Sequence, residues 1–256
     1  MIERAGRRRR TLLSALGAAG GLVLAGCDKL STTRWFPQFL GGAEKLDSAA
    51  QQAVAPRRSM AQEFEAKDLS PTFRSNGTSM PADPRYRSLA ASGFADYRLE
   101  IAGLVEHPAA LTLAELRAAP SRTQITRHDC VEGWSAIGKW KGAKLGALLD
   151  QARPLPQARY VVFRCADAMD EDGTLYYESI DLDDAYHPQT ILAYELNDRP
   201  LPIANGAPVR VRVERQLGYK MAKYIMRIEL AASLAAIGGG RGGYWEDLGY
   251  QWYAGI

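Results

Sequence analysis

Three cysteines, three histidines and no long apolar run after residue 26 set the first limits on this 256-residue chain. The histidines, His107, His128 and His187, are too scattered to match a zinc-ligand spacing. No Cys-x-x-Cys-His sequence occurs, so no covalently attached haem is expected. Beyond residue 26 no stretch reaches roughly 18 unbroken apolar residues, the length a spanning helix needs. An excess of one charge is missing too. Lysine and arginine number 32 against 29 aspartate and glutamate, but residues 1–26 hold Arg4, Arg7, Arg8, Arg9 and Arg10 and one acid, Glu3. Without them the balance is 27 against 28 (32 − 5 and 29 − 1), which gives no electrostatic reason to expect nucleic acid as a partner. What is plentiful is apolar side chain, 46% of the residues, enough for a sizeable core.

Residues 1–27 read as an export signal. Four arginines run into Thr11-Leu12-Leu13, and an apolar stretch follows as far as Ala25. About 14 residues at 1.5 Å each make a helix of roughly 21 Å, short of the ~30 Å hydrocarbon core, which suits a signal h-region better than a membrane span. Arg9-Arg10-Thr11-Leu12-Leu13 resembles a twin-arginine signal, with an ordinary secretory signal as the alternative. Leu24-Ala25-Gly26-Cys27 resembles a bacterial lipobox, whose cysteine is lipidated; the alternative is a soluble protein cleaved nearby. Asp28 then resembles an inner-membrane retention signal. The expectation is a lipid-anchored protein on the periplasmic side of the cell envelope.

Residues 28–70 show little periodicity and several loop formers, and read as a tether and an irregular arm packed on the domain. From Tyr97 the pattern sharpens. Tyr97 to Ile101 alternates as a strand, and Thr112-Leu113-Ala114-Glu115 is a capping box opening a short helix before Pro120. Strands are expected over Thr123–Thr126, Tyr160–Phe163, Tyr176–Ile180, Thr190–Leu196, Val209–Val213 and Lys223–Leu230. Lys144–Ala152 reads as an amphipathic helix, and Asp181 as the cap of a short one. Gly238–Gly243 reads as a turn before an aromatic tail, Tyr244–Tyr253. Strands outnumber short helices and no repeat is present. The fold class is therefore α+β with a mixed β-sheet core, in one domain over 71–256.

With Cys27 lipidated, Cys130 and Cys165 remain, and in an oxidising compartment the residues alone leave a disulfide as their default state. The informative block is Arg127-His128-Asp129-Cys130-Val131-Glu132-Gly133-Trp134-Ser135. Together with Trp140-Lys141-Gly142, Tyr160-Val161-Val162-Phe163, His187-Pro188, Leu201-Pro202, Asn205-Gly206-Ala207-Pro208-Val209-Arg210 and Gly218-Tyr219-Lys220-Met221-Ala222-Lys223, it resembles the sulfite-oxidase superfamily of molybdopterin enzymes. Within it the likeness is greatest to the branch of periplasmic methionine-sulfoxide reductase catalytic subunits. The resemblance runs over about residues 70–256, in matching order and spacing.

That resemblance implies a sulfite-oxidase-type molybdopterin-binding fold and a molybdenum–molybdopterin cofactor whose metal is bound by Cys130. Thiolate is the soft, strongly donating ligand such a metal needs, and an electropositive setting, with Arg127 near in sequence, would hold it deprotonated. The resemblance places Asn205, Arg210, Met221, Ala222 and Lys223 at the cofactor, with Arg210 and Lys223 as cations for the pterin phosphate. Asn76 matches a pterin-contacting asparagine. Cys165 stands where the branch has a threonine beside the pterin, with a buried inert cysteine as the alternative. Glu132 is a candidate to tune or relay protons, and Tyr194 matches a substrate-pocket tyrosine; a structural carboxylate and strand core are the respective alternatives. His128 is a support for the cysteine loop or the pterin, whereas His107 and His187 precede prolines and read as structural.

The pattern also breaks. Sulfite oxidases carry an arginine before the N-terminal asparagine and more after the metal cysteine, where this chain has Ser75 and Val131–Ser135, so a cationic pocket for sulfite is thin, with Arg74 a partial substitute. The chain stops at Ile256, without length for the superfamily's dimerisation domain or a fused haem domain. The expected activity is oxygen-atom transfer with a small substrate, reduction of a methionine-sulfoxide-like S-oxide being favoured. Electrons would come from a membrane haem b protein linked to quinol. The alternatives are a sulfite dehydrogenase passing electrons to a c-type cytochrome, and a non-catalytic lipoprotein binding module.

Overall fold

In the computed structural model, Thr33 and residues 59–256 are described. The signal and lipobox of 1–27, and residues 28–58 of the arm except Thr33, lie outside the described residues.

β1 (Arg98–Gly103) buries Leu99 and Ile101 on one face. It pairs antiparallel with β2 (Ala109–Thr112) and parallel with β10 (Ile225–Ala231), where Glu100 lies opposite Arg227. β10 pairs antiparallel with β5 (Tyr160–Ala168), and β5 with β6 (Leu175–Asp181), giving the order β2-β1-β10-β5-β6. One parallel pair among antiparallel ones makes this sheet mixed. The second sheet has the order β3 (Ser121–Asp129), β4 (Ser135–Lys144), β7 (Ile191–Leu196), β8 (Arg199–Pro200), with β9 (Arg210–Arg212) also on β7. The α+β class expected from the sequence is the one found.

Both sheets contribute to one core. Leu99, Ile101, Val161, Phe163, Ile228 and Leu230 of the first meet Leu192, Tyr194 and Val211 of the second. Alternate residues of β7, Ile191 and Ala193, face the other way onto Trp140, Leu196, Leu201 and Phe73, as the two-residue strand period requires.

The helices are short and locally specified. α1 (Pro84–Ala91) starts with proline at its first position and Asp83 accepting from the Tyr86 amide at 2.7 Å. In α2 (Leu113–Ala118) the capping box is complete: Thr112 Oγ1 accepts from the Glu115 amide at 3.0 Å, and Glu115 accepts from the Thr112 amide at 2.7 Å. α3 (Leu145–Ala152) turns Leu145, Leu148 and Leu149 into the core. Asp181 caps α4 (Leu182–Ala185), and α5 (Tyr244–Asp247) follows the glycine-rich turn.

Residues 59–70 are mostly irregular and docked. The Phe64 amide donates to the Ile125 carbonyl at 2.9 Å. Gln189 brackets Ala61, accepting from its amide at 2.7 Å and donating to its carbonyl at 3.0 Å.

Two elements depart from expectation in ways that position the site. The β4 strand, ten residues long, is absent from the strands the sequence pattern predicts and forms the second arm of the hairpin after Cys130. Lys223 is not in a strand. β10 begins at Ile225, and Tyr224 takes a φ of 55°, so the chain turns sharply beside the lysine. Among the described residues no helix is long and apolar enough to cross a membrane.

Candidate functional site

The β3–β4 hairpin ends on the pair Asp129–Ser135, and Cys130–Trp134 form its loop. The Cys130 amide donates to the Trp134 carbonyl at 2.9 Å, and Gly133, at φ 85°, supplies the left-handed turn and donates back to the Cys130 carbonyl. Asp129 closes the base of the loop, accepting from the Ser135 hydroxyl at 2.5 Å and pairing with Arg127 Nε at 2.9 Å. Trp134 Nε1 donates to Glu132 at 3.0 Å, and the Arg74 guanidinium lies 5.4 Å from the Trp134 ring centroid. Phe73 stands edge-on to both Trp134 and Trp140. These contacts hold Cys130 at the wall of an open cleft.

Cys130 and Cys165 are both free, so the disulfide alternative is not realised. The Cys130 thiol is pushed up by burial. The Glu132 amide, Arg74 and Arg210 oppose that shift, and the Glu132 carboxylate adds to it. Arg127, expected to hold the thiolate, is instead largely exposed and paired with Asp129. Adjacent strand residues project to opposite faces, and a charge three residues before the thiol is not thereby beside it. Among the described residues no three His, Cys, Asp or Glu side chains group as a metal site. A metal at Cys130 must therefore bring most of its ligands from elsewhere.

Asn76, Glu132, Met221 and Lys223 line the cleft with Cys130. The turn at Tyr224 brings Lys223 Nζ to three carbonyls, Asn76 at 2.6 Å, Thr78 at 2.7 Å and Ala204 at 3.2 Å. Its pKa is lowered to about 8, by burial first and the Arg210 charge second. Arg210 is buried, with its two terminal nitrogens on the carbonyls of Asn205 and Met221, each at 3.1 Å. Burial, with Arg212 next, lowers it to about 9. Gly206, at φ 108°, lets Lys223 and Arg210 close up; a Cβ there would lie 2.8 Å from that of Lys223. The Asn205 Nδ2 and Arg210 Nε atoms are buried without a partner.

Five expected residues stand apart from the cleft lining: Asn205 and Arg210, held behind it through the Met221 carbonyl, and Cys165, Tyr194 and Ala222. Cys165 is buried in the core opposite Ile225, its thiol pushed well up by burial. Tyr194 is core, with the Arg117 guanidinium 5.7 Å from its ring. Ala222 is fully buried between Met221 and Lys223. His128 is buried and kept neutral by burial and by Arg212; its Nδ1 takes Arg212 at 2.9 Å and touches Met221 Sδ at 3.3 Å. The ring proton is therefore on Nε2, which has no partner.

Sequence reasoning missed Asp167. The pairing of β5 with β6 breaks register between Arg164 and Ala168, and at this break Asp167 joins the cleft wall. Burial raises its carboxyl to about 6, and its Oδ1 is buried without a partner. Met169, Trp245 and Tyr250 complete an aromatic, apolar side, with Trp245 and Tyr250 stacked at 5.3 Å.

Known proteins resemble this chain in the same region. The oxidoreductase molybdopterin-binding domain family matches residues 88–235. A protein of Azospira oryzae, provisionally named protein-methionine-sulfoxide reductase subunit YedZ1, is 40% identical over 199 residues, covering 75% of this chain and 70% of that one. The protein-methionine-sulfoxide reductase catalytic subunit MsrP of Ralstonia nicotianae is 32% identical over 236 residues, 87% of this chain and 67% of that one. That of Xanthomonas axonopodis pv. citri is 35% identical over 161 residues, 59% of this chain and 48% of that protein, so the match spans about half the length of this relative. Among solved structures, the sulfane dehydrogenase SoxCD of Paracoccus pantotrophus aligns with a TM-score of 0.49 at 23% identity, over 54% of this chain and 39% of that one.

Proposed function

Because the chain belongs to the oxidoreductase molybdopterin-binding domain family, we propose that it reduces a small S-oxide of the methionine-sulfoxide kind at a molybdenum–molybdopterin cofactor held by Cys130. The carrying observation is the free Cys130 thiol on the wall of a cleft that is also lined by Asp167, whose buried Oδ1 lacks a protein partner. Buried donors and acceptors are almost always satisfied, so an orphaned acceptor on a cleft wall fits a polar ligand that completes it.

The residues fit the cofactor. Cys130 would supply the thiolate, and bonding to the metal would deprotonate it outright. Asp167, on the cleft wall, would offer an acceptor to the pterin heterocycle, while the unsatisfied donors Asn205 Nδ2 and Arg210 Nε are buried away from the lining. Lys223, on the lining, would meet a phosphate, and Arg210, buried behind the Met221 carbonyl, would add to the positive field there. Gly218 lets the turn that carries Met221 pack against His128, since a Cβ there would lie 2.5 Å from the imidazole ring. When bound, the group supplies two-electron oxygen-atom transfer; the chain positions it and handles protons.

The lining favours a neutral S-oxide over sulfite. Lys223 is the cation among the lining residues and is held by three carbonyls, while Arg74 lies on the Trp134 face. Glu132 and Asp167 add negative charge that a dianion would meet. Val131, Met169, Trp245 and Tyr250 offer the apolar contact a thioether chain needs. Burial raises the Asp167 carboxyl to about 6, so it is ionised at neutral pH and can take up and release a proton just below it.

The names of the relatives as subunits support a separate electron-donating protein, proposed here as a membrane haem b protein. The sequence of 1–28 supports export through a twin-arginine signal and lipid anchoring at Cys27 on the periplasmic side. Steady-state assays of cofactor-loaded protein test the reading. Turnover of a dialkyl sulfoxide with a reduced dye is expected. Turnover of sulfite with a cytochrome, and none of sulfoxide, overturns it.

A further inference from the structure

Behind the wall that Tyr176 and Tyr219 give to the cleft lies a group of ionisable side chains without a part in cofactor holding. Lys220 Nζ donates to Oε1 of Glu178 on β6 and to Oε1 of Glu246 on α5. All three side chains are at most 1% exposed. The Trp252 and Tyr219 rings lie 5.3 Å and 6.0 Å from the ammonium. Gly243 gives the carboxyls their room, since a Cβ there would lie 1.9 Å from Glu246 Oε2 and 2.8 Å from Glu178 Oε1.

Two carboxyls and one ammonium do not balance. With both acids ionised the cluster carries a net negative charge out of reach of water, which folded proteins avoid by keeping a proton on one member. Burial pushes Glu178 well above the usual carboxyl range, against the pull of Lys220 and with the neighbouring Glu246 adding to the rise. The groups facing Glu178 are Lys220, Glu246 and Tyr176, with Tyr219 and Cys165 in the same surroundings. Glu246 Oε2 has no partner. Glu178 Oε2 lies 3.4 Å from the Tyr176 hydroxyl, and Tyr176 lines the cleft. That hydroxyl donates to the Tyr219 carbonyl while its lone pairs stay open to a second donor.

We propose that Glu178 and Glu246, compensated by Lys220, hold one proton in reserve and pass it to the cleft through the Tyr176 hydroxyl. The role in turnover rests on the S-oxide reduction reading. Each S-oxide reduced takes up two electrons and two protons, its S–O bond breaks, and the oxygen leaves as water. The electrons come from an external donor protein or a reduced dye through the cofactor. One proton enters through the open cleft. The other leaves Glu178 for the Tyr176 oxygen as that phenol, turned from the Tyr219 carbonyl, releases its own into the cleft. The same hydroxyl returns a proton from the cleft to the carboxyl before the next cycle. Tyr176 is the group at the cleft, and Glu178 acts through it.

Infrared spectroscopy of the cofactor-free and cofactor-loaded full chain tests the reserve without relying on activity. A protonated-carboxyl absorption is expected in the unsubstituted protein at about pH 8, where Asp167, raised only to about 6, is ionised. It should vanish in Glu178→Gln and also in Glu246→Gln, because either change leaves one acid for one ammonium. Tyr176→Phe should keep the absorption but slow its exchange in heavy water several-fold. In dye-driven S-oxide turnover, Tyr176→Phe should lower kcat about tenfold or more with little change in KM, and alter the solvent isotope effect. An absorption that survives Glu246→Gln overturns the reserve. Unchanged exchange in Tyr176→Phe overturns the route. If the loaded, unsubstituted protein reduces no S-oxide, the functional reading fails, while the absorption and its exchange still decide the reserve and route.

Discussion

Arg212 donates from one terminal nitrogen to His128 Nδ1 at 2.9 Å, and so ties the strand that leads into Cys130 to the strand that carries Arg210. Its other nitrogens hold Glu214, at 2.6 Å and 2.9 Å, with both side chains fully buried. The Trp140 ring lies 4.4 Å from the guanidinium. Replacing Arg212 with methionine would leave Glu214 charged and unpaired in the interior. We expect a loss of about 3–5 kcal/mol in denaturant melts, most of it recovered when Glu214→Leu is added. A loss below about 1 kcal/mol, the range of exposed pairs, refutes the structural role.

Cys130→Ala removes the thiolate and little else, since the loop is fixed by the 130–134 backbone bonds and the Asp129 contacts. The variant should keep its circular dichroism and melting temperature and lose metal. Elemental analysis after production with full cofactor supply is expected to show molybdenum lowered about tenfold or more. Equal metal content and an unchanged absorption spectrum would count against the bond.

Asp167 gives a pH signature. Its carboxyl, raised to about 6 mainly by burial, binds more protons folded than unfolded between about pH 4 and 6. The folded state therefore loses stability as pH rises through that window and carries the whole cost above it. Asp167→Asn should make the cofactor-free protein more stable by about 2–3 kcal/mol at neutral pH, with the advantage fading toward pH 4. Melting curves across pH check it, and an advantage that grows toward acid contradicts the burial argument.

How much of this was legible in advance follows the range of each interaction. The Thr112–Glu115 capping box and the Asp181 cap are contacts over three residues, and both form as read. Motif order points to the Cys130 loop and to the Asn205–Arg210 and Met221–Lys223 segments; Cys130, Met221 and Lys223 reach the cleft, whereas Asn205 and Arg210 do not line it. The β4 strand was missed because glycines occupy inward positions that usually announce a strand with bulk. Gly142 packs so closely that a Cβ would fall 2.3 Å from the Leu192 carbonyl oxygen. Asp167 depends on a register break, and the Lys220–Glu178–Glu246 cluster joins three distant segments. Neither leaves a local pattern. Tyr194 shows the opposite limit, because a strand position fixes which face a side chain takes but not whether a pocket lies there.

Trp245 and Tyr250 provide a test of substrate class. Stacked on each other, they form the aromatic side of the cleft. Tyr250→Ala should raise KM for a thioether S-oxide about tenfold and leave kcat within about twofold, as removing uniform apolar contact predicts. A fall in kcat with KM unchanged would mean that the ring acts on the reacting centre.

The parallel pairing of β1 with β10 sets a condition on biosynthesis. Glu100 must wait for Arg227, which a ribosome adds near the close of the domain. Until then Leu99 and Ile101 on one side, and Val161 and Phe163 on the other, lack the strand that lies between theirs. Such distant partners make closure slow and leave nascent edges open to wrong pairings. Shortened chains that lack β10 should not be smaller versions of this protein, for they have lost the middle of a sheet and not its margin.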